Sequence, residues 1–207
     1  MTIELHNIAK RFQHEWIFRN LSMSFTGNFR YAILGANGSG KSTLLQVLAG
    51  NITPTNGQIT YQENGQIIEP ENFFKSICLC APYLELIEEF TLLEIIEFHF
   101  KFKKYLPNTN LELLLEEINL QKFKNRSLKT FSSGMKQRVK VILALFSDTP
   151  VLLLDEPCTN LDQAGILWYQ QMMEKWTKDR LVIISSNQTQ EYEFCTHQIQ
   201  ISDFKEA

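Results

Sequence analysis

No hydrophobic stretch in this 207-residue sequence approaches the roughly 20 residues that a membrane-crossing helix needs. Any work at a membrane is therefore expected to pass through a partner chain, with no direct membrane insertion. The N-terminus, M-T-I-E-L-H, lacks a basic start followed by an apolar segment, so no secretory leader is expected. Charge of one sign is scarce too. Twenty Lys and Arg stand against 23 Asp and Glu, a net charge of −3, and no strong basic face is available for a nucleic acid. Cysteine is limited to four positions. Cys78-x-Cys80 has no second pair at metal-ligand spacing and reads as two small buried side chains of one strand. Cys195-x-His197 is too sparse for a ligand pair, and a reduced, intracellular setting is expected.

What is present suits one folded domain. Hydrophobic residues make up 44% of the chain, enough for a sizeable core. Alternating patterns over T-I-E-L-H and Leu21 to Phe25, and the run Y-A-I-L before Gly35, predict strands through the first 34 residues. Residues 42–49 predict a helix stopped by Gly50, and Asn64-Gly65 the bend of a β-hairpin. From about 85 to 146 the period becomes helical. Thr91 and Glu94 form a capping box ahead of Leu92, Ile95, Ile96 and His99. Further helices are expected from Leu111 and after S-S-G-M, where Val139, Ile142, Leu143 and Phe146 share a face. The Phe and Leu stripes of this region read as core. An α/β rhythm then returns: V-L-L-L as a strand, Leu161 to Trp176 as a helix and L-V-I-I-S-S as a strand. Alternation of this kind implies a mainly parallel sheet.

The strongest chemical signal is Gly35 to Thr43, G-A-N-G-S-G-K-S-T, which follows a predicted strand and opens a predicted helix. Glycines let the backbone N–H groups converge on phosphate oxygens, and the helix turns its positive end towards them. The binding set is Gly35, Asn37, Gly38, Ser39, Gly40, Lys41, Ser42 and Thr43. Within it Lys41 supplies a cation at the β- and γ-phosphates, and Ser42 a hard oxygen for Mg²⁺. The second signal is V-L-L-L-D-E-P, Val151 to Pro157, which sets a carboxylate at the C-terminal end of a buried strand, where ligands of open α/β sheets collect. Asp155 is expected to hold Mg²⁺ and Glu156 to orient or polarise the water that attacks the γ-phosphate. Kinases, GTPases and ATPase motors all share this pair of motifs.

The segment between them narrows the choice. Phe131 to Arg138, F-S-S-G-M-K-Q-R, resembles the L-S-G-G-Q signature of ABC ATPases, and T-N-L-D, Thr159 to Asp162, sits where that family carries its D-loop. The likeness spans nearly the whole chain. It implies an α/β fold of the P-loop NTPase type, with a mainly parallel sheet core, an N-terminal antiparallel β subdomain and an inserted α-helical subdomain over 85–146, all within a single ABC ATPase domain, 1–207. It further implies ATP and Mg²⁺ as ligands and a head-to-tail homodimer or heterodimer with another ABC ATPase subunit. Each nucleotide would lie between the phosphate loop of one subunit and Ser132 and Gly134 of the other. A transmembrane permease subunit would dock on the helical lobe, which places the chain in the cytoplasm, peripheral on the inner face of the membrane. Phe12 lies where the family stacks an aromatic ring on adenine, with Trp16 as rival. Length and compactness are similar to the small ATP-binding subunits of bacterial exporters, the haem exporter among them.

Three departures stand out. The loop Cys80 to Thr91 has no Gln where the family usually carries one; Pro82 or Tyr83 falls at that place, and Glu85 is the nearest polar side chain. Asn187 occupies the place of the family's switch His, able to donate a hydrogen bond but not to carry charge. Ser133 and Met135 replace the first Gly and the last residue of the signature. Lys41 and Glu156 are intact, so hydrolysis is expected, and expected to be slow. Three other readings stay open: a weakly hydrolysing regulatory half of a heterodimer, an ABC ATPase outside transport, and a small-molecule kinase.

Overall fold

The computed structural model describes residues 1–205. Two sheets carry the fold. Strands β1 (Thr2–Phe12), β2 (Glu15–Thr26), β4 (Asn56–Glu63) and β5 (Gln66–Ile68) form an antiparallel sheet in the order β2-β1-β4-β5. The second sheet is wholly parallel, in the order β6-β7-β8-β3-β9, with β3 (Arg30–Leu34), β6 (Ile77–Cys80), β7 (Val151–Asp155), β8 (Leu181–Ser185) and β9 (His197–Gln200).

The parallel strands read as unbroken apolar runs because both of their faces are buried. Side chains alternate across the strands with a period of two. Ala32, Leu34, Cys78, Cys80, Leu152, Leu154, Val182 and Ile184 face one core. Tyr31, Ile33, Ile77, Val151, Leu153, Leu181 and Ile183 face the other. The second core is shared with helix α1 (Lys41–Leu48) and with Ile3, Leu5, Phe18, Leu21 and Phe25 of the antiparallel sheet. The four cysteines are free and buried, and Cys78 and Cys80 belong to β6 as expected.

Between β6 and β7 the chain leaves the sheet for helices α3 (Leu92–His99), α4 (Leu111–Glu117) and α5 (Ser133–Phe146), after the short α2 (Pro70–Phe73) has closed the preceding connection. Each start is fixed by a local cap. Thr91 Oγ1 accepts from Glu94 N at 3.2 Å while Glu94 Oε2 accepts from Thr91 N at 2.8 Å. Asn110 Oδ1 accepts from Leu113 N at 2.9 Å, and Ser132 Oγ from Met135 N at 3.2 Å. The inward faces join the first core together with α6 (Gln163–Trp176). The stripes are not all core: Phe98 near the end of α3 is 39% exposed, and Phe102 in the turn that follows is 71% exposed.

One helix boundary differs from expectation, and two short elements are additional to it. Helix α6 begins at Gln163 rather than Leu161, because Asp162 Oδ1 accepts from Gly165 N at 2.8 Å and so becomes the cap. The edge strand β9 and the short α7 (Thr189–Tyr192) were not anticipated. H-Q-I-Q has one apolar residue and earns its strand only by pairing with β3. The His197 ring packs there, 4.9 Å from that of Tyr31 and 5.0 Å from that of Phe29.

Candidate nucleotide site

The phosphate loop runs from the end of β3 into α1. Its curl leaves Gly40 at φ 108°, and a Cβ there would meet Ile17 Cγ2 at 2.4 Å, so only glycine fits on both counts. The buried Lys41 ammonium donates to the carbonyls of Gly35, at 2.7 Å, and Ala36, at 3.2 Å. Two of its three donors thus hold the loop's own backbone. Ser39 Oγ is buried in the loop without a hydrogen-bond partner.

Asp155 ends β7 and is 1% exposed, and the Ser185 hydroxyl at the end of neighbouring β8 donates to its Oδ1. The next residue, Glu156, adopts φ 41°, the left-handed region that a side chain other than glycine rarely enters. Its N–H donates to Ser185 O at 2.9 Å, and its carbonyl accepts from Thr159 N at 3.1 Å and Thr159 Oγ1 at 2.8 Å. This turn brings Glu156 to a cavity of about 190 Å³ that it lines together with Ile17 and residues 37–43. A positive loop, a hydroxyl and a carboxylate therefore converge from three elements. The donor set fits Mg-nucleotide. Ser42, which lines the cavity, and Asp155, which is buried and not among its lining residues, are hard oxygen donors, and Mg²⁺ keeps most of its shell as water and phosphate oxygen, so it needs no cluster of three carboxylates. The partnerless Ser39 hydroxyl suits a phosphate oxygen.

Ser132 and Gly134 are not part of this cavity. With Ser133, Met135, Arg138 and residues 160–162 they line a separate one of about 400 Å³. Within it the signature turn lies against the D-loop: a Cβ at Gly134 would stand 3.0 Å from Asn160 O. Ser133 is exposed, and Met135 packs part-buried against the first core. One chain thus carries the phosphate loop and the signature in two distinct hollows.

The remaining candidates sit at the margins. Asn187, after β8, donates from Nδ2 to Asn37 Oδ1 of the phosphate loop at 2.9 Å. Phe12 is 46% exposed at the end of β1, with Lys10 Nζ 4.9 Å from its ring centre, and it does not line the phosphate-loop cavity; Ile17, which the sequence did not single out, does. Trp16 has the guanidinium groups of Arg11 and Arg19 at 5.1 and 5.2 Å from its ring. In the loop that lacks Gln, Lys140 Nζ donates to Ala81 O and Pro82 O at 3.3 and 3.4 Å. Beside them the Tyr83 phenol is pushed up to about 12, first by burial and then by the Asp155 charge.

Comparison with known proteins is consistent across the chain. A family model described as "ABC transporter" matches residues 18–159. The ABC transporter ATP-binding protein YybJ of Bacillus subtilis (strain 168) is 30% identical over 186 residues, which cover 89% of this chain and 85% of that one. A solved ABC transporter ATP-binding protein from Pyrococcus furiosus superposes over 100% of both chains with a TM-score of 0.84 at 19% identity. A bacterial ABC transporter cassette solved as a dimer covers 96% of this chain and 93% of its own, with a TM-score of 0.80 at 23% identity.

Proposed function

Since this chain belongs to the ABC transporter family, we propose that its phosphate-loop cavity is the ATPase centre of a transporter's ATP-binding subunit, with ATP hydrolysis powering transport. The observation that carries the assignment of roles is the shared cavity of Glu156 and residues 37–43, which aims one carboxylate at a phosphate cradle. The backbone N–H groups of the loop and the N-terminus of α1 bind the β- and γ-phosphates, and the third Lys41 donor reaches a phosphate oxygen. Ser42 and Asp155 hold Mg²⁺, which when bound neutralises phosphate charge. Glu156 orients and polarises a water for in-line attack on the γ-phosphorus. The bond to the β,γ-bridging oxygen breaks, and ADP and phosphate leave. Asn187, already hydrogen-bonded to the loop, directs its second amide N–H to a γ-phosphate oxygen, a weaker stabiliser than a charged ring, which makes turnover slow.

The separation of the signature hollow from the phosphate-loop hollow supports a head-to-tail pair, homodimer or heterodimer, with Ser132 and Gly134 of one copy closing on the nucleotide of the other. Phe12, exposed at the end of β1, is free to lie against adenine.

No helix among the described residues is long and apolar enough to cross a membrane. In this reading coupling to transport runs through a transmembrane permease subunit, with this chain peripheral on the cytoplasmic face. Its docking place is the helical segment 85–146 within the single domain. There Ile87, Phe98 and Phe102 are exposed around an apolar hollow of about 320 Å³ floored by Ile95 and Leu143. Large apolar side chains grouped on a surface mark an interaction site.

Steady-state ATP hydrolysis by the purified protein, measured beside Glu156→Gln, tests the reading. Turnover that disappears in Glu156→Gln supports it. Mg-ATP binding with no turnover above that variant would instead favour the weakly hydrolysing half of a heterodimer, a second reading that rests on Asn187 in the place of the switch His.

A further inference from the structure

One peptide group behind the catalytic turn is gripped from both sides. The carbonyl of Pro157 accepts from Gln137 Nε2 at 2.7 Å, and the N–H of Cys158 donates to Glu191 Oε1 at 2.7 Å. These are the two polar ends of a single peptide unit. Gln137 belongs to α5, the helix that begins at the signature, and is 1% exposed. Glu191 belongs to α7, four residues after Asn187, and is fully buried. Tyr169 of α6 fixes its backbone by donating to the Glu191 carbonyl at 3.1 Å.

Such a grip is more than generic core satisfaction. A buried carboxyl is a costly way to cap one amide, and beyond that amide Glu191 has only the Ser186 hydroxyl and the Cys158 thiol near it, with no hydrogen bond of full geometry to Oε2 among the described residues. Burial pushes the Glu191 carboxyl up from its ordinary range. The peptide it holds follows Glu156, whose φ of 41° persists only where its surroundings over-determine it. The Ser185 and Thr159 contacts fix the Glu156 backbone from one side, and the gripped peptide fixes it from the other.

We propose that Glu191 and Gln137 are positioning residues for ATP hydrolysis: by clamping the Pro157–Cys158 peptide they set the aim of Glu156, and they tie that aim to the signature helix and to the switch segment. The proposal rests on the assignment of Glu156 to hydrolysis. Movement of α5, when its signature turn meets a nucleotide, would be carried by Gln137 to the residue next to the catalytic one. Neither side chain lines the phosphate-loop cavity, so substrate binding is not their task.

The test compares wild type with Glu191→Gln, Glu191→Leu and Gln137→Met, reading kcat and KM for ATP, the Kd of a fluorescent ATP analogue, and amide exchange across 156–160. Glu191→Gln keeps an acceptor oxygen for Cys158 and should retain kcat within about threefold, whereas Glu191→Leu and Gln137→Met should lose about ten- to a hundredfold in kcat, the scale of a catalytic group displaced by about 1 Å. In all three the Kd should stay within about threefold. Exchange at 156–160 should rise in Glu191→Leu and not in Glu191→Gln. The proposal is overturned if Glu191→Leu and Gln137→Met hydrolyse at the wild-type rate, or if kcat and nucleotide affinity fall together, the mark of a merely structural role. Gln137→Met serves as the independent arm should Glu191→Leu not fold. If wild type shows no turnover above Glu156→Gln, the hydrolysis reading fails by itself. The clamp is then judged on exchange, where equal rates in wild type and Glu191→Leu sink it.

Discussion

Asn187 and Asn37, 150 residues apart, are joined side chain to side chain, the Asn187 amide donating to Asn37 Oδ1 at 2.9 Å. The switch position is thereby tied to the phosphate loop by a neutral hydrogen bond. Asn187→Ala removes that donor and should lower kcat about tenfold with KM little changed, a loss of about 1.4 kcal/mol of transition-state stabilisation. Asn187→His should run faster than wild type, because a protonated ring brings charge to the γ-phosphate. Steady-state kinetics decide both, and an unchanged Asn187→Ala would remove Asn187 from the mechanism.

Lys41 and Ser42 separate two contributions. Lys41→Ala removes a cation that is buried against the loop carbonyls of Gly35 and Ala36. Nucleotide binding should weaken and turnover disappear. Ser42→Ala should raise the Mg²⁺ concentration needed for half-maximal turnover by about tenfold while leaving the loop folded. Titration of activity with Mg²⁺ after chelation measures this, and an unshifted titration would exclude Ser42 as a ligand.

Arg180 carries a structural prediction. It is 5% exposed and donates to Thr149 O and Thr149 Oγ1 at 2.8 and 2.9 Å, and to Leu145 O and Ala144 O at 2.8 and 3.4 Å. Its charge caps the C-terminal end of α5, where cations are favoured. Burial lowers the guanidinium to about 10, so it stays charged at neutral pH. Arg180→Ala strands those carbonyls in the core and should cost about 3 kcal/mol, read as a lower midpoint in urea unfolding. A midpoint within error of wild type would show that the carbonyls find other donors.

His99 gives a pH dependence. Its Nε2 lies 2.8 Å from Ser147 Oγ, and Ser147 Oγ donates to Leu143 O at 2.7 Å, so the imidazole is the donor to the hydroxyl. Burial first, and then the Lys103 charge, lower His99 from 6.5 to about 4. The unfolded chain then binds the proton more tightly than the folded one between pH 6.5 and 4. His99's contribution is fully present above pH 6.5 and is lost as the pH falls through that window. His99→Gln, which keeps a donor for Ser147, should flatten this part of the stability profile. An identical profile in the variant would assign the dependence to other groups.

Much of the scaffold was readable beforehand because its causes are local. The apolar runs of β3, β7 and β8, the capping box at Thr91 and the Asn64-Gly65 bend all form where their residues stand. At Asn64 and Gly65, φ angles of 52° and 79° are what the turn chemistry demands. The edge strand β9 was not readable, since its four residues have no alternation of their own. The Phe and Leu stripes of 85–146 read as core, yet Phe98 and Phe102 are exposed, because periodicity shows which residues share a face, not whether anything covers that face.

The phosphate loop can be read from residue order alone, because its glycines, Lys41 and Ser42 are contiguous and their chemistry is enforced by the backbone between them. The same order shows that Asp155 ends a buried strand. That Glu156 joins that loop in one cavity while Ser132 and Gly134 open into another follows from the packing of the folded chain. That packing alone put Gln137 and Glu191, 20 residues before and 33 residues after their targets, on the same peptide. Contacts of that range follow from how helices pack on the sheet, and no local pattern of residue types encodes the register in which two distant side chains meet one backbone group.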